Sequence, residues 1–405
     1  MRNACYLLPP LIFSLVLFPI MGMSEESSPL PAWECHTIDR SSQGADGVRL
    51  GDLNGDGLAD VVTGWEEGGL IRAYLNPGAD KAARPWPAVT VGRVDSPEDA
   101  VFVDLDQDGA LDVVSCCEGQ TRSIFVHWAP RDRTRLLDPK AWHTEPFPAA
   151  RGKEAWMYAL PMQVDGLGGV DLVVGSKGKG ASISWLESPN DPRDLKAWKL
   201  NRLRDAGWIM SIEAEDIDAD GREDLVFSDR KGARAGVFWL KRPQEVAMPW
   251  SEHPIGALGK EVMFLRIEDL ESDGRRDVVV STRNGYCELF RRKAGVRVAW
   301  ASQQKRLPFG LPHGKSLAIA DINGDGRRDL ITTNRGGGKV RCVAWQPIDP
   351  AQSDSKAHDI GGFGGQKFDL IEMIDLDADG DLDVLTCEER DGLGVVWYEN
   401  PADSK

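Results

Sequence analysis

The sequence predicts an all-β protein, a seven-bladed β-propeller in which an N-terminal strand completes the last blade. Three observations predict it. A nine-residue acidic loop of the form Asp-x-Asp/Asn-x-Asp-Gly-x-x-Asp, or a relic of it, occurs seven times. Its copies start 52 to 59 residues apart, a period that belongs to propeller blades and other repeat arrays. Each copy leads into a short apolar run bounded by Gly, Pro or Asp, as strands are. A period that covers nearly all of the 405 residues argues for one closed repeat domain, although length alone would allow two or three.

The elements follow in chain order. Arg2, an apolar stretch from Leu11 to Ile20 and small residues at Gly22 and Ser24 read as a secretory signal over 1–24, with a linker over 25–32. The stretch is too short to span a membrane. The expectation is a secreted or periplasmic, monomeric protein. Without the leader six cysteines remain: Cys35, Cys116, Cys117, Cys287, Cys342 and Cys387. The adjacent Cys116 and Cys117 are compatible with a vicinal disulfide or with two buried thiols. A net charge of −16 argues against nucleic acid as a partner.

The propeller is expected over 33–401, followed by a short tail at 402–405. Its fourth repeat shows the pattern. WIMSIEAEDI from Trp208 alternates, the acidic loop follows, DLVFSD is a buried run, AGVFWLKRP is a third strand and PWSEHPI from Pro249 a fourth. Four antiparallel strands at a period near fifty make a propeller blade. Trp128, Trp185, Trp239, Trp345 and Trp397 fall on third strands, and Trp33, Trp86, Trp142, Trp198, Trp250 and Trp300 on fourth strands, where large rings pack between blades. The seventh repeat ends at VVWYENP without a fourth strand. WECHTID, from Trp33 to Asp39, has that strand's form and precedes the first blade, so it closes the ring.

The loops carry the oxygen-rich alternation that calcium requires, with a glycine that permits the sharp turn. Positions 1, 3, 5 and 9 offer side chains and position 7 a backbone carbonyl. The ligand sets are Asp52, Asn54, Asp56 and Asp60; Asp104, Asp106, Asp108 and Asp112; Asp216, Asp218, Asp220 and Asp224; Asp269, Glu271, Asp273 and Asp277; Asp321, Asn323, Asp325 and Asp329; and Asp375, Asp377, Asp379 and Asp383. The copy at Gln163 keeps only Asp165 and Asp171 and is expected to bind calcium weakly or not at all. Position 12 of the first copy is Thr63 and the following run is strand-like, which argues against an EF-hand. About five or six structural Ca2+ sites are expected.

These loops, followed by DLVF or DVVV and a WYENP-like turn, resemble the FG-GAP/VCBS repeats of integrin α-subunit propellers and of many secreted bacterial proteins. The resemblance covers residues 33 to 401. It implies the propeller fold and calcium in the loops, and it leaves function open between adhesion, glycan binding and polysaccharide lysis.

On the face opposite the loops, counting from each loop's last Asp collects Lys177, Arg230, Arg283, Arg335 and Arg390 from blades three to seven, with Glu66 and Glu118 in blades one and two. Lys153, Lys260, Lys315 and Lys367 start first strands nearby. A concave basic arc focuses field for an anion even on an acidic protein, and arginine forks suit carboxylate or sulfate. The competing reading pairs these bases with Asp229, Glu154, Glu261, Glu388 and Glu389 as inter-blade salt bridges. Trp65, Trp156 and Trp208 lie outside the packing pattern and are expected near this mouth as a glycan surface. The leading expectation is a calcium-stabilised binding or adhesion module for an anionic glycan or an extracellular protein. The alternative is a polysaccharide lyase in which His313, with Tyr158 and Tyr286, abstracts a proton beside a neutralised uronate. No GxSxG, HExxH or phosphate-loop motif supports another enzyme class.

Overall fold

The computed structural model describes residues 32–295, 298–336, 342–349 and 356–401. The predicted signal over 1–24, most of the linker and the tail at 402–405 lie outside them. Seven antiparallel four-stranded sheets form the ring. Blade one comprises Ala45–Gly51, Asp60–Trp65, Leu70–Tyr74 and Ala88–Gly92, and blade four comprises Ile209–Glu215, Asp224–Asp229, Gly236–Lys241 and Ser251–Gly256. Each blade runs in simple up-and-down order from the channel outward, because short loops can join only adjacent antiparallel strands.

The seventh blade confirms the expected closure. Its strands Phe368–Ile374, Asp383–Glu388 and Gly394–Glu399 are completed by Glu34–Asp39, with His36 opposite Trp397 and Thr37 opposite Val396. The N-terminal strand thereby covers an edge that would otherwise offer free backbone groups. No helix among the described residues is long and apolar enough to cross a membrane.

Second strands such as Asp60–Trp65, Asp112–Cys117 and Asp277–Thr282 are buried along their whole length. Each has hydrogen-bonded neighbours on both sides and a blade against each face, so its sequence is a continuous apolar run, without alternation. The tryptophans fill the wedges between blades as expected, and Trp128, Trp239 and Trp397 are 1 to 5% exposed. Most of those assigned to fourth strands, Trp86, Trp142, Trp198 and Trp250 among them, stand just before the strand, and only Trp300 lies within one. Fourth-strand histidines pair with third-strand tryptophans. His36 meets Trp397 at 4.4 Å, His253 meets Trp239 at 4.6 Å and His358 stacks on Trp345 at 4.1 Å. These rings are cross-strand packing partners. The six described cysteines are thiols, five of them buried, so Cys116 and Cys117 form no disulfide.

Candidate functional site

The acidic loops share one geometry on one rim of the ring. The first-position carboxylate turns the loop about itself: Asp52 Oδ1 accepts from the Gly55 and Asp56 amides and Oδ2 from Gly57. Asp104, Asp216, Asp269 and Asp321 repeat the contacts with positions 5 and 6. The sixth-position glycines all have φ between 60° and 99°, the left-handed region that favours glycine. The ninth-position Asp does a different job from the other three. Asp60 Oδ2 accepts from the Leu53 and Asn54 amides and Oδ1 from Asn76, so this carboxylate pins the loop to the turn after the third strand.

The donor set fits a hard divalent cation. In the second loop Asp104, Asp106 and Asp108 each present an oxygen within 4.8 Å of the others. Asp218 Oδ1, Asp329 Oδ1 and Asp381 Oδ1 are buried with no hydrogen-bond partner. Burial, with the neighbouring loop carboxylates adding to it, pushes Asp60 and Asp224 up to about 6 and Asp112, Asp329 and Asp383 to about 7. The six loops are not alike. Arg131 and Arg193 reach Asp108 at 2.6 and 3.6 Å, Lys241 reaches Asp220 at 3.1 Å, Arg291 reaches Glu271 at 3.0 Å and Arg275 pairs with Asp273. The loops of blades one, six and seven have no Lys or Arg ion pair among the described residues.

The relic loop closes itself. Gln163 Oε1 accepts from the Asp165 and Gly166 amides, and its Nε2 donates to the Leu167 carbonyl at 3.1 Å and the Gly169 carbonyl at 2.6 Å. Gly169 occupies position 7, whose carbonyl a cation would otherwise take, so an amide N–H stands in for the ion. Asp171 is retained for its pinning role, accepting from Val164 at 2.8 Å and Ser188 at 2.7 Å.

The opposite face holds a cavity of about 480 Å3 at the channel mouth, within the range of small-molecule sites. A β-bulge builds it in every blade. The register between first and second strands slips between Asp46 and Arg49, Pro97 and Asp99, Trp156 and Tyr158, Ile209 and Ser211, Val262 and Leu265, Gly314 and Leu317, and Phe368 and Ile371. The extra residues, among them Glu98, Met157, Met210, Met263 and Lys315, line the cavity, as expected where a bulge re-aims a side chain. The residues at or just after the ends of the second strands complete it: Glu66 and Glu67, Glu118, Lys177, Arg230 and Lys231, Arg283, Arg335 and Arg390.

Backbone bonds within blade six and to its two neighbours set the basic side in order. The His313 amide donates to the Arg283 carbonyl, Arg335 to His313 and Lys367 to Arg335. His313 and Lys367 have φ of 65° and 61°, backbone strain of a kind that collects at functional sites. A side cavity of about 40 Å3 is lined by Arg230, Arg283, His313, Lys315, Arg335 and Lys367, with Met263 and Gly314, and holds no acid.

The sequence profile of the FG-GAP-like repeat matches residues 52–115, 269–332 and 321–386, each match spanning acidic loops and the strands between them. The chain carries FG-GAP-like repeats, built into a seven-bladed propeller. No curated protein matches it in sequence. Among solved structures, BBS1N in complex with ARL6DN, from a mercury-soaked crystal, is similar with a TM-score of 0.55 at 12% identity, over 92% of this chain and 98% of that one. A lead-soaked crystal of the same complex gives 0.51 at 13% identity over the same shares. An Agrocybe aegerita lectin, described for its recognition of non-reducing terminal N-acetylglucosamine, gives 0.43 at 16% identity over 80% of each chain.

The FG-GAP-like propeller gathers Lys177, Arg230, Arg283, Arg335 and Arg390 at one mouth, where counting from the loops placed them. Most are paired. Lys177 contacts Glu98 at 3.1 Å and also Glu118, Arg230 contacts Glu261 at 2.6 Å and Arg390 contacts Glu389 at 3.6 Å. Arg283 is only loosely paired, 3.9 Å from Glu261, and Arg335 is exposed with no carboxylate partner among the described residues. Burial, then Arg230 and Arg335 beside it, lowers the Arg283 guanidinium from its usual range.

Two aromatic assignments are corrected. Trp65 and Trp156 are 0% exposed. Their indole N–H groups donate to Tyr74 Oη at 2.9 Å and to the Ala150 carbonyl at 3.2 Å. Both rings pack in the core between blades, because each face of a blade lies against a neighbouring blade. Trp208 does line the mouth, beneath Arg230, Lys177 and Lys231 at 4.3, 4.7 and 4.7 Å from the ring centroid. His313 lines the side cavity, but the tyrosines do not join it. Tyr158 lies under Arg49 at 4.2 Å in the main cavity wall, and Tyr286 begins an outer strand. Sequence counting missed Asp46, Glu67, Glu98, Asp99, Lys231 and Asp369 as lining residues. Several of them sit at first-strand starts, where the same register would have found them had it been counted backward from the loop.

Proposed function

We propose that this propeller is an exported, calcium-stabilised binding module that takes an acidic glycan at the channel mouth. One observation carries the reading: the ordered series Arg283, His313, Arg335 and Lys367 around a side cavity without an acid, in which Arg335 has no carboxylate partner among the described residues. Guanidinium forks in such a recess bind carboxylate or sulfate bidentately. The six loop ligand sets hold calcium in this reading and fix the rim against which the mouth is built. The leader-like stretch from Leu11 to Ile20 supports export. A similar fold seen in complex with a protein, ARL6DN, is in keeping with a platform role for the ring.

The test is titration calorimetry with uronate-containing and sulfated polysaccharides, beside neutral ones. Acidic polymers should bind and Arg335→Ala should weaken them at least about tenfold, as the loss of one charge-assisted fork predicts. Binding that is indifferent to Arg335→Ala and Arg283→Ala, or equal for neutral polymers, refutes the site. Because His313 lies among these bases, the same samples are read for absorbance from an unsaturated product. Its appearance, with loss in His313→Ala, would favour the lyase.

A further inference from the structure

The mouth is charged in two sectors that meet at the seam of blades seven and one, where Glu389, the partner of Lys367, lies within 4.8 Å of Glu66 and Glu67. Blades one and two contribute Asp46, Glu66, Glu67, Glu98 and Glu118, and Lys177 pairs with both Glu98 and Glu118. Asp46, Glu66 and Glu98 each place a carboxylate oxygen within 4.8 Å of the others. The Asp46 side chain is only 7% exposed and abuts the Asp369 carboxylate, which Lys315 holds. No N–H donor among the described residues contacts the Asp46 carboxyl. The basic side comprises Arg230, Arg283, His313, Arg335 and Lys367, with Glu261 paired to Arg230 and Glu389 to Lys367.

Each sector is crowded with its own sign. Burial, then neighbouring Glu118 and Glu66, pushes Glu98 up to about 8 in spite of Lys177. Burial and the Asp369 carboxylate hold Asp46 well above the usual carboxylate range. Arg283 is displaced in the corresponding sense by burial and by its arginine neighbours. A ligand with only an anion would relieve one wall and leave the other wanting a cation. A ligand bearing both signs relieves both.

Resting on the proposed glycan-binding role, we propose that the mouth selects a zwitterionic glycan, one that carries a free amino group beside its acid group. The ammonium lies against Glu66, Glu98 and Asp46, and the carboxylate or sulfate lies against Arg283, Arg335 and Lys367. Trp208, under its three cations, forms part of the wall between the sectors.

The experiment compares a uronate–glucosamine oligosaccharide bearing free amino groups with its N-acetylated counterpart, by calorimetry on the full protein with calcium present. The free-amine form should bind about tenfold or more tightly, the ratio expected when a charged pair is made and not lost. Glu66→Gln, a change at a half-buried strand end, should erase that preference. Equal affinity, or tighter binding of the N-acetylated form, overturns the two-signed ligand. If Arg335→Ala still weakens both forms, the acidic-glycan reading stands without it. A preference that survives Glu66→Gln and Glu98→Gln overturns the placement of the amine. Failure of both oligosaccharides to bind overturns the inference and the glycan reading together.

Discussion

Asp171 offers a way to separate the two jobs of the acidic loops. It sits in the loop whose first ligand is Gln163, it is 0% exposed, and its two oxygens accept from the Val164 and Ser188 amides at 2.8 and 2.7 Å. Replacing it by Ala leaves both amides buried without partners. Two bonds to a charged acceptor are worth about 1.5 to 3 kcal/mol each, and the variant also escapes the cost of burying the carboxylate, so the net loss is about 2 to 4 kcal/mol. Burial raises the Asp171 carboxyl, which gives that cost its sign. The assay is urea unfolding of wild type and Asp171→Ala, each in calcium and in chelator. The loss should be the same in both media, because Gln163 already occupies the carbonyl a cation would bind. Asp321→Ala should behave in the opposite way, costing stability in calcium and little in chelator. A loss below about 1 kcal/mol for Asp171→Ala, or one that vanishes in chelator, would refute the claim that the ninth position is a backbone pin.

Other predictions concern charge, metal and closure. His127 is buried between Ser115 Oγ at 2.9 Å and Thr144 Oγ1 at 2.8 Å, and burial pulls its imidazole down to about 3. Its folded value lies below the unfolded one, so the unfolded chain gains the proton first and stability falls as pH drops below 6.5, by about 2 kcal/mol at pH 5. Denaturation of wild type and His127→Gln at pH 7.5 and 5 should show that the variant lacks this increment. Chelation should lower the melting temperature, and Asp321→Ala or Asp375→Ala should remove more of the calcium-dependent rise than Asp273→Ala, whose loop is already neutralised by Arg275 and Arg291. Ile38→Ala, at a 1% exposed site in the closing strand, should cost about 2 to 5 kcal/mol by thermal or urea unfolding.

Much of the ring was legible because each blade repeats one physical solution. The Asp-Gly loop fixes where the first hairpin turns, the unbroken apolar run marks a strand covered on both faces, and the missing last strand had only WECHTID to supply it. The basic arc was legible for the same reason: a constant count from Asp171, Asp224, Asp277 and Asp329 reaches the same end of each second strand. Side-chain direction was less so. Trp65 and Trp156 lie at the predicted end of their strands, yet they point between blades, and nothing in spacing alone distinguishes the two faces of a residue buried on every side. Of the acidic sector, Glu66 and Glu118 fell to that same count, but Asp46 and Glu98 were missed because they stand on first-strand bulges six residues before their loops, a position the forward count never reaches. The ninth-position aspartates were assigned to the metal alone because pinning a backbone and holding a cation ask for the same residue.

The closing strand also has a consequence in time. His36 and Glu399, 2.7 Å apart, are separated by 363 positions along the chain, whereas the contacts inside blades one to six join neighbours in sequence. Closing so long a span costs more chain entropy than closing a hairpin, so the outer strand of blade seven is expected to join after the local hairpins have formed. A seam made after the folding barrier contributes little to the folding rate and acts mainly by slowing unfolding. The short pairing of Glu34–Asp39 with Gly394–Glu399 thus acts as a latch on the lifetime of the whole propeller.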